Sequence, residues 1–280
     1  MRILVVGGTA DGRKLATELH RLGFDVIYSI AGIVRKATVP CESISGGFSQ
    51  FGGLAKYVTE HVITHVIDAT HPFAQTMSNT IAQVSIELSI ISIRFHRQQW
   101  QKTDQDNWVE VSDWPTLTEK VAQHRCLFVT AGQVSQDVID ALSAQAEQVL
   151  LRTAMPAKII LPANVTWLKA IGPFHLEDEM QLLQTYNIDA VISKNSGGDA
   201  TYAKIIAARS ASIPVYQFKR PDLQPLQYQF DNAASCIALL KESLLSTGSD
   251  NTHRDTLNKK LNKTLNKTFN NIAIEPKDEI

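Results

Sequence analysis

The amino-acid sequence predicts an α/β protein: two parallel-sheet domains flanking a cleft, followed by a disordered C-terminal tail. Three observations predict it. Short runs rich in β-branched residues alternate with helix-length segments almost to the end of the chain. Most of these runs are apolar with little polar alternation, as expected of strands covered by helices on both faces. The alternation breaks once, after "RFHRQQW", at the polar stretch "QKTDQDNW", and then starts again. At 280 residues the chain is long enough for two ordinary domains. The predicted division is 1–99, 100–246 and a tail at 247–280.

In the first half, strands are read at 2–6 (RILVV), 25–30 (DVIYSI), 42–45, 64–69 (THVIDA) and 90–94 (IISIR), with helices at 11–22, 50–61 and 73–88. In the second half, strands are read at 126–130 (CLFVT), 148–152 (QVLLR), 165–170 (VTWLKA), 189–193 (DAVIS) and 213–218 (IPVYQF). Its helices are read at 133–145, 175–186, 200–211 and 231–246. The tail repeats LNKK, LNKT, LNKT and FNNI. Leu257, Leu261, Leu265 and Phe269 recur every four residues, which drifts around a helix without making a stripe, so disorder is expected there.

The composition is that of a soluble globular protein, 44% hydrophobic and 20% charged with net charge −1, and gives no sign of a nucleic-acid or anionic-membrane partner. Cys41, Cys126 and Cys236 are far apart and form no CxxC pair, so they read as reduced thiols and not as a disulfide or zinc framework. The opening "MRILVVGG" is too soon broken by glycine to be a signal peptide, and no apolar run approaches the roughly 20 residues of a membrane helix. A cytoplasmic location is expected, and no metal-ligand cluster is evident.

The first strand runs into "GGTADG", residues 7–12. A loop of the form G-x-G-x-x-G sets backbone amides and a helix N-terminus against a pyrophosphate. Gly7 and Gly12 hold the outer positions, while Thr9 replaces the middle glycine and offers a hydroxyl to a phosphate. A tight βα turn without a ligand would use the same residues. The end of the second strand narrows the choice. An NAD site carries an acid there, whereas this chain has Ser29, with Arg35 and Lys36 a few residues on and Asp25 at the wrong end of the strand. Cations suit a 2′-phosphate, so NADPH is favoured over NADH. Gly46 and Gly47 follow a strand and line the same carboxyl edge. So does "DATHPF" (68–73), where Pro72 fits a first helical turn and Thr70 or His71 would cap the helix and face the ligand.

In the second half, Lys194, Asn195 and Ser196 end the strand "DAVIS". Gly197, Gly198 and a helix follow, with Thr201 and Lys204 in its first turn or so, which together make a ready anion site. Phe174, in "GPF", sits at another strand end and would either stack on a ligand ring or staple the next helix.

Taken in chain order, "ILVVGGTADGRKLA", "SIAGIVR", "GGF", "FGGLAKY", "VIDATHPFA", "GPF" and "SKNSGGDATYAKIIAA" make the chain resemble the precorrin-6A and cobalt-precorrin-6A reductases of cobalamin biosynthesis. The resemblance covers nearly everything except the tail, and "DATHPFA" and "KNSGG" are its most specific motifs. It implies two Rossmann-like domains around a cleft and NADPH-dependent reduction of one carbon–carbon double bond of a tetrapyrrole, giving precorrin-6B. By the same resemblance Gly7, Gly8, Thr9 and Asp11 belong to the cofactor loop. Ser29, Gly32, Gly46 and Gly47 flank the adenosine and phosphates, and Asp68, Ala69, Thr70 and His71 border the nicotinamide.

The ring's acetate and propionate groups call for cationic and amide donors. The substrate side is accordingly read as His71, Pro72, Phe73, Phe174, Lys194, Asn195, Ser196, Gly197 and Thr201. His71 and Lys194 are candidate proton donors, with solvent or the macrocycle as equal alternatives. A short-chain dehydrogenase is excluded, because no tyrosine has a lysine four residues on. A two-domain nucleotide-sugar glycosyltransferase, or a non-catalytic NADPH-binding protein, would share the paired α/β domains.

Overall fold

The computed structural model describes residues 1–31 and 38–246. Gly32, Arg35, Lys36 and the tail from residue 247 lie outside the described residues. The first half of the chain forms strands β1 (Arg2–Val6), β2 (Asp25–Ile30), β3 (Glu42–Ser45), β4 (His65–Asp68) and β5 (Ile91–Phe95), with helices α1 (Ala10–Arg21), α2 (Leu54–Glu60) and α3 (Gln75–Glu87). The second half contributes β6 (Trp108–Val111), α4 (Trp114–Val121), β7 (Cys126–Val129), α5 (Gln136–Gln145), β8 (Gln148–Thr153), β9 (Val165–Lys169), α6 (Leu176–Thr185), β10 (Ala190–Lys194), α7 (Ala203–Ser210) and β11 (Val215–Phe218). The chain then adds β12 (Tyr228–Phe230) and α8 (Ala233–Ser246).

Two six-stranded sheets result, ordered β12-β5-β4-β1-β2-β3 and β6-β11-β10-β7-β8-β9. Every pairing is parallel. Both follow the doubly wound order 3-2-1-4-5-6 in space, but the outer strand of the first, β12, comes from beyond the division read in the sequence, and the outer strand of the second, β6, precedes the rest of its sheet in the chain. Residues 228–246, read with the second domain, belong with the first: β12 pairs with β5, and Cys236 and Leu240 of α8 are fully buried in the first sheet's core. The reason is physical. The free edge of β5 presents unpaired backbone groups, and β12 satisfies them. Strand β6 does the same for β11, although it begins at Trp108, the last residue of the polar stretch read as a break. Helix α4 was also missed, despite a start signal: Asp113 caps it by accepting from Thr116 N at 2.8 Å, and Pro115 lies in its first turn.

The apolar strands owe their near-continuous hydrophobicity to helices on both faces. In β1, Ile3 and Val5 face one core while Leu4 and Val6 face the other. In β7, Leu127 and Val129 face one core of the second sheet and Phe128 its opposite. Each fully buried side chain of this size contributes roughly 1.5–3 kcal/mol. Cys41 and Cys236 are buried and Cys126 is half-buried, all three as free thiols. No helix among the described residues is long and apolar enough to cross a membrane.

One polar side chain in this core has a measurable consequence. His65, in β4, is buried, and its Nε2 has no hydrogen-bond partner among the described residues. Burial first, and the N-terminal ammonium second, push its pKa down to about 4. The unfolded chain takes up this proton below about pH 6.5, whereas the folded chain does so only near 4. Stability is therefore complete above pH 6.5 and is lost as pH falls through that window. We expect His65 to account for about 2 kcal/mol of lost stability between pH 7 and pH 5. Urea unfolding at the two pH values should show His65→Gln losing correspondingly less.

Candidate functional site

In a doubly wound sheet the ligand crevice lies outside the carboxyl ends of the strands, where the winding reverses. Here those points are β1/β4 in the first sheet and β7/β10 in the second. The two edges meet. Phe73, in the loop after β4, packs on the core of the second sheet, and the Lys194 ammonium at the end of β10 lies 5.3 Å from the centre of its ring.

At the first edge a cavity of about 190 Å³ is lined by Gly7, Gly8, Ser29, Gly46, Gly47, Thr70 and His71, with Phe48 and Met77 closing its apolar side. Of the described residues assigned to the nucleotide, Gly7, Gly8, Ser29, Gly46, Gly47 and Thr70 come together here, and Thr9, Asp11, Asp68 and Ala69 do not. Gly7 is required by close approach, since a Cβ there would run into the buried Tyr28 ring. Gly8 sits at φ +129° with open space over its Cα. Among the described residues no carboxylate lines the cavity. Asp25 is at the far end of β2, 3.4 Å from Arg2.

Several assigned residues do other work. The Thr9 hydroxyl donates to Ala69 O at 3.1 Å and accepts from Gly12 N at 2.9 Å, so its proton is committed to the loop and not free for a phosphate. Asp11 turns away from the cavity and pairs with Arg97 at 2.6 Å. Ala69 is fully buried against Gly12. Asp68 is fully buried too and does not border the cavity. Its carboxylate accepts from Thr70 N at 3.2 Å and Thr70 Oγ1 at 2.7 Å, lies 3.4 Å from Arg94 Nε, and lies 3.7 Å from His96 Nε2, beyond hydrogen-bond reach. Burial alone would raise this carboxyl. The His96 ring and the hydroxyls of Thr70 and Ser78 outweigh it and hold the group far below the usual range. Neither Thr70 nor His71 caps a helix, because α3 starts only at Gln75 and residues 71–74 form a turn closed by Ala74 N donating to His71 O at 2.7 Å. Pro72 is buried in that turn, not in the first turn of the helix.

His71 Nδ1 accepts from Phe73 N at 3.2 Å, which leaves Nε2 to carry the proton of the neutral ring. Burial, and then the charges of Arg97, Lys194 and Arg220, push its pKa down to about 3. A neutral imidazole at pH 7 donates a hydrogen bond but is no ready source of a proton, so the acid role expected of His71 is not supported in the free protein.

At the second edge, Lys194 points into the cleft, and burial lowers its pKa. Among the described residues no carboxylate lies within 4.0 Å of its ammonium. Its neighbours are structural. Asn195 spends its side chain on Trp100, accepting from its N at 2.9 Å and donating to its O at 3.0 Å. Ser196 Oγ donates back to Lys194 O at 3.2 Å. Gly197 has φ +69° and lies against the Gln98 carbonyl. The helix expected from residue 200 begins at Ala203, after a short 3-10 turn at Asp199–Thr201, and the Thr201 carbonyl accepts from the buried Lys204 ammonium at 2.9 Å. The Arg152 guanidinium covers the Phe174 ring at 3.8 Å and pairs with Glu179 of α6.

Sequence reasoning missed Arg94, His96, Arg97 and Arg220. The available signals were the basic residues in "RFHR" and "FKRP" at the ends of β5 and β11. Among the described residues Arg220 donates to backbone carbonyls alone, those of Asn195, Arg97, Gln98 and Ser196. Burial and the nearby Arg97 lower its pKa to about 10. The cleft between the sheets is therefore cationic, with a glycine-lined cavity on one side and an unpaired lysine on the other.

The family model described as precorrin-6x reductase CbiJ/CobK matches residues 2–241. A precorrin-6A reductase of Rhodococcus erythropolis is 35% identical over 240 residues, covering 85% of this chain and 96% of that protein. One of Rhodobacter capsulatus is 34% identical over 223 residues, covering 79% and 88%. A solved structure titled CobK precorrin-6A reductase superposes with a TM-score of 0.77 at 31% identity, covering 86% of this chain and 97% of that one.

Proposed function

The chain belongs to the precorrin-6x reductase family, and on that premise we propose that it reduces one carbon–carbon double bond of precorrin-6A with NADPH, giving precorrin-6B in cobalamin biosynthesis. The observation that carries the reading is the meeting of the two strand-end edges, where Lys194 faces Phe73 and His71 across from the glycine-lined cavity.

The first edge fits an anionic dinucleotide. Its lining is small and, among the described residues, free of carboxylate, while the amides of Gly7, Gly8 and Gly46 already donate to Ser29 O, the Tyr28 hydroxyl and Ile30 O. The first amides of α1 have no intrahelical acceptor, and Thr9 takes only that of Gly12. Gly7, Gly8, Ser29, Gly46, Gly47 and Thr70 would hold the nucleotide. When bound it supplies a hydride, which adds to one carbon of the double bond while a proton adds to the neighbouring carbon, leaving NADP⁺. The chain's own residues position the partners. Lys194 sets an unpaired cation against the ring's carboxylates, and Arg97 and Arg220 extend the positive field. The Nε2–H of His71 donates a hydrogen bond, and Phe73 and Pro72 close the cleft against water. With His71 neutral, the proton comes from Lys194, solvent or the macrocycle itself.

Arg35 and Lys36 are assigned the 2′-phosphate on sequence grounds. Fluorescence titration should show that replacing both with alanine weakens NADPH about tenfold or more while leaving NADH nearly unchanged, since each lost charge-assisted contact costs roughly 1.5–3 kcal/mol. Equal loss for the two cofactors would remove that assignment.

A further inference from the structure

The segment that leaves β5 and crosses to the second sheet is fastened to the loop after β10. Asn195 holds both backbone groups of Trp100, and Trp100 Nε1 donates to Gly198 O at 2.9 Å. Arg220 donates to Asn195 O and Arg97 O, both at 2.9 Å, and to Ser196 O at 3.0 Å. Gly197 and Gly198 have no room for a Cβ, which would run into the Gln98 carbonyl and the Arg97 stem respectively. Backbone lies on backbone where the two segments meet.

One side chain of this assembly reaches the other edge of the cleft. Arg97 Nε donates to Ser196 O at 2.9 Å, while its Nη1 donates to Asp11 Oδ2 at 2.6 Å. Asp11 is in the first turn of α1, and Ser196 is two residues from Lys194. A single half-buried guanidinium is thus shared by the two loops to which the nucleotide and the macrocycle are assigned.

We propose that Arg97 is a positioning residue that makes nucleotide and macrocycle binding interdependent; the proposal rests on the functional reading above. Negative charge brought to the N-terminal turn of α1 strengthens the local field on the guanidinium. A guanidinium held more firmly fixes Ser196 O, and with it the loop that presents Lys194. Less order then remains to be lost when the macrocycle binds, which gives positive coupling. Coupling is reciprocal, so either ligand reports it. Lysine would keep the charge but cannot span both acceptors, because it lacks the planar fork.

The test is NADPH titration by fluorescence, with and without saturating precorrin-6B, which has no double bond left for the hydride. In the wild type precorrin-6B is expected to tighten NADPH by about five- to twentyfold, within the usual range of coupling. In Arg97→Lys the factor should fall below about twofold with the melting temperature nearly unchanged, and Asp11→Asn should lower it by a route that leaves Arg97 in place. A merely structural role would alter each affinity and the melting temperature but leave the ratio intact. Full coupling in both variants, or none in a wild type that binds NADPH, overturns the proposal. A wild type that binds no NADPH overturns the functional reading and this proposal with it.

Discussion

Lys194→Ala is expected to raise the KM for the macrocycle about ten- to a hundredfold while NADPH affinity stays within about twofold. The argument starts from a desolvated cation. Burial already lowers the Lys194 pKa, and among the described residues no carboxylate lies within ion-pair distance of the ammonium, whose nearest described partner is the Phe73 ring. Such a group is held at a standing cost that an arriving carboxylate relieves, so its removal should leave the free protein no less stable. A fall in NADPH affinity of the same size would place Lys194 on the nucleotide side. Unchanged KM would mean that Arg97 and Arg220 carry the substrate's charge without it.

Asp68→Ala should lower the stability of the folded state by about 3–5 kcal/mol, the usual result of removing one partner from a buried ion pair. Arg94 is 4% exposed, and its Nη2 already lacks a hydrogen-bond partner, so losing Asp68 leaves a buried guanidinium with little to face. Thr70 loses its acceptor at the same time, and Thr70 lines the cavity. Asp68→Asn keeps the shape and should cost less. The pH dependence has a definite sign. The carboxyl is held below its ordinary range in the folded state, so its contribution is complete above about pH 4 and is lost as pH falls further. Urea unfolding of both variants near neutral pH measures the effect, and a loss under about 1 kcal/mol for Asp68→Ala would show that the cluster relaxes around the gap.

These two residues illustrate what the sequence made legible. The strand-turn-helix from Arg2 to Arg21 and the strand ending at Lys194 carry a local signal, an apolar run stopped by small or polar residues, the glycine pair at 46–47 carries its own, and each is found at a carboxyl edge. Asp68 carries the same local signal for a different reason. An acid at a strand end reads as ligand-facing, but Arg94 and His96 arrive from β5 and claim it, and that depends on which strand lies alongside. Asn195 is likewise spent on Trp100, 95 residues earlier in the chain. Thr9 offered a hydroxyl whose proton goes to Ala69, a contact made only once β4 lies beside β1. Short elements were the other blind spot. Strand β12 has three residues and β6 four, too few to show a period, and both exist because a sheet edge was open to them.

The central claim, an NADPH-dependent reductase of a tetrapyrrole double bond, is tested most directly by mixing the protein with NADPH and precorrin-6A without oxygen and following the absorbance of the reduced nicotinamide. The account predicts a fall that requires both the protein and the macrocycle, stops when one equivalent of NADPH has been consumed per macrocycle, and yields a product heavier by two hydrogens. NADPH that binds, as its quenched fluorescence would report, yet stays reduced with precorrin-6A present would contradict it.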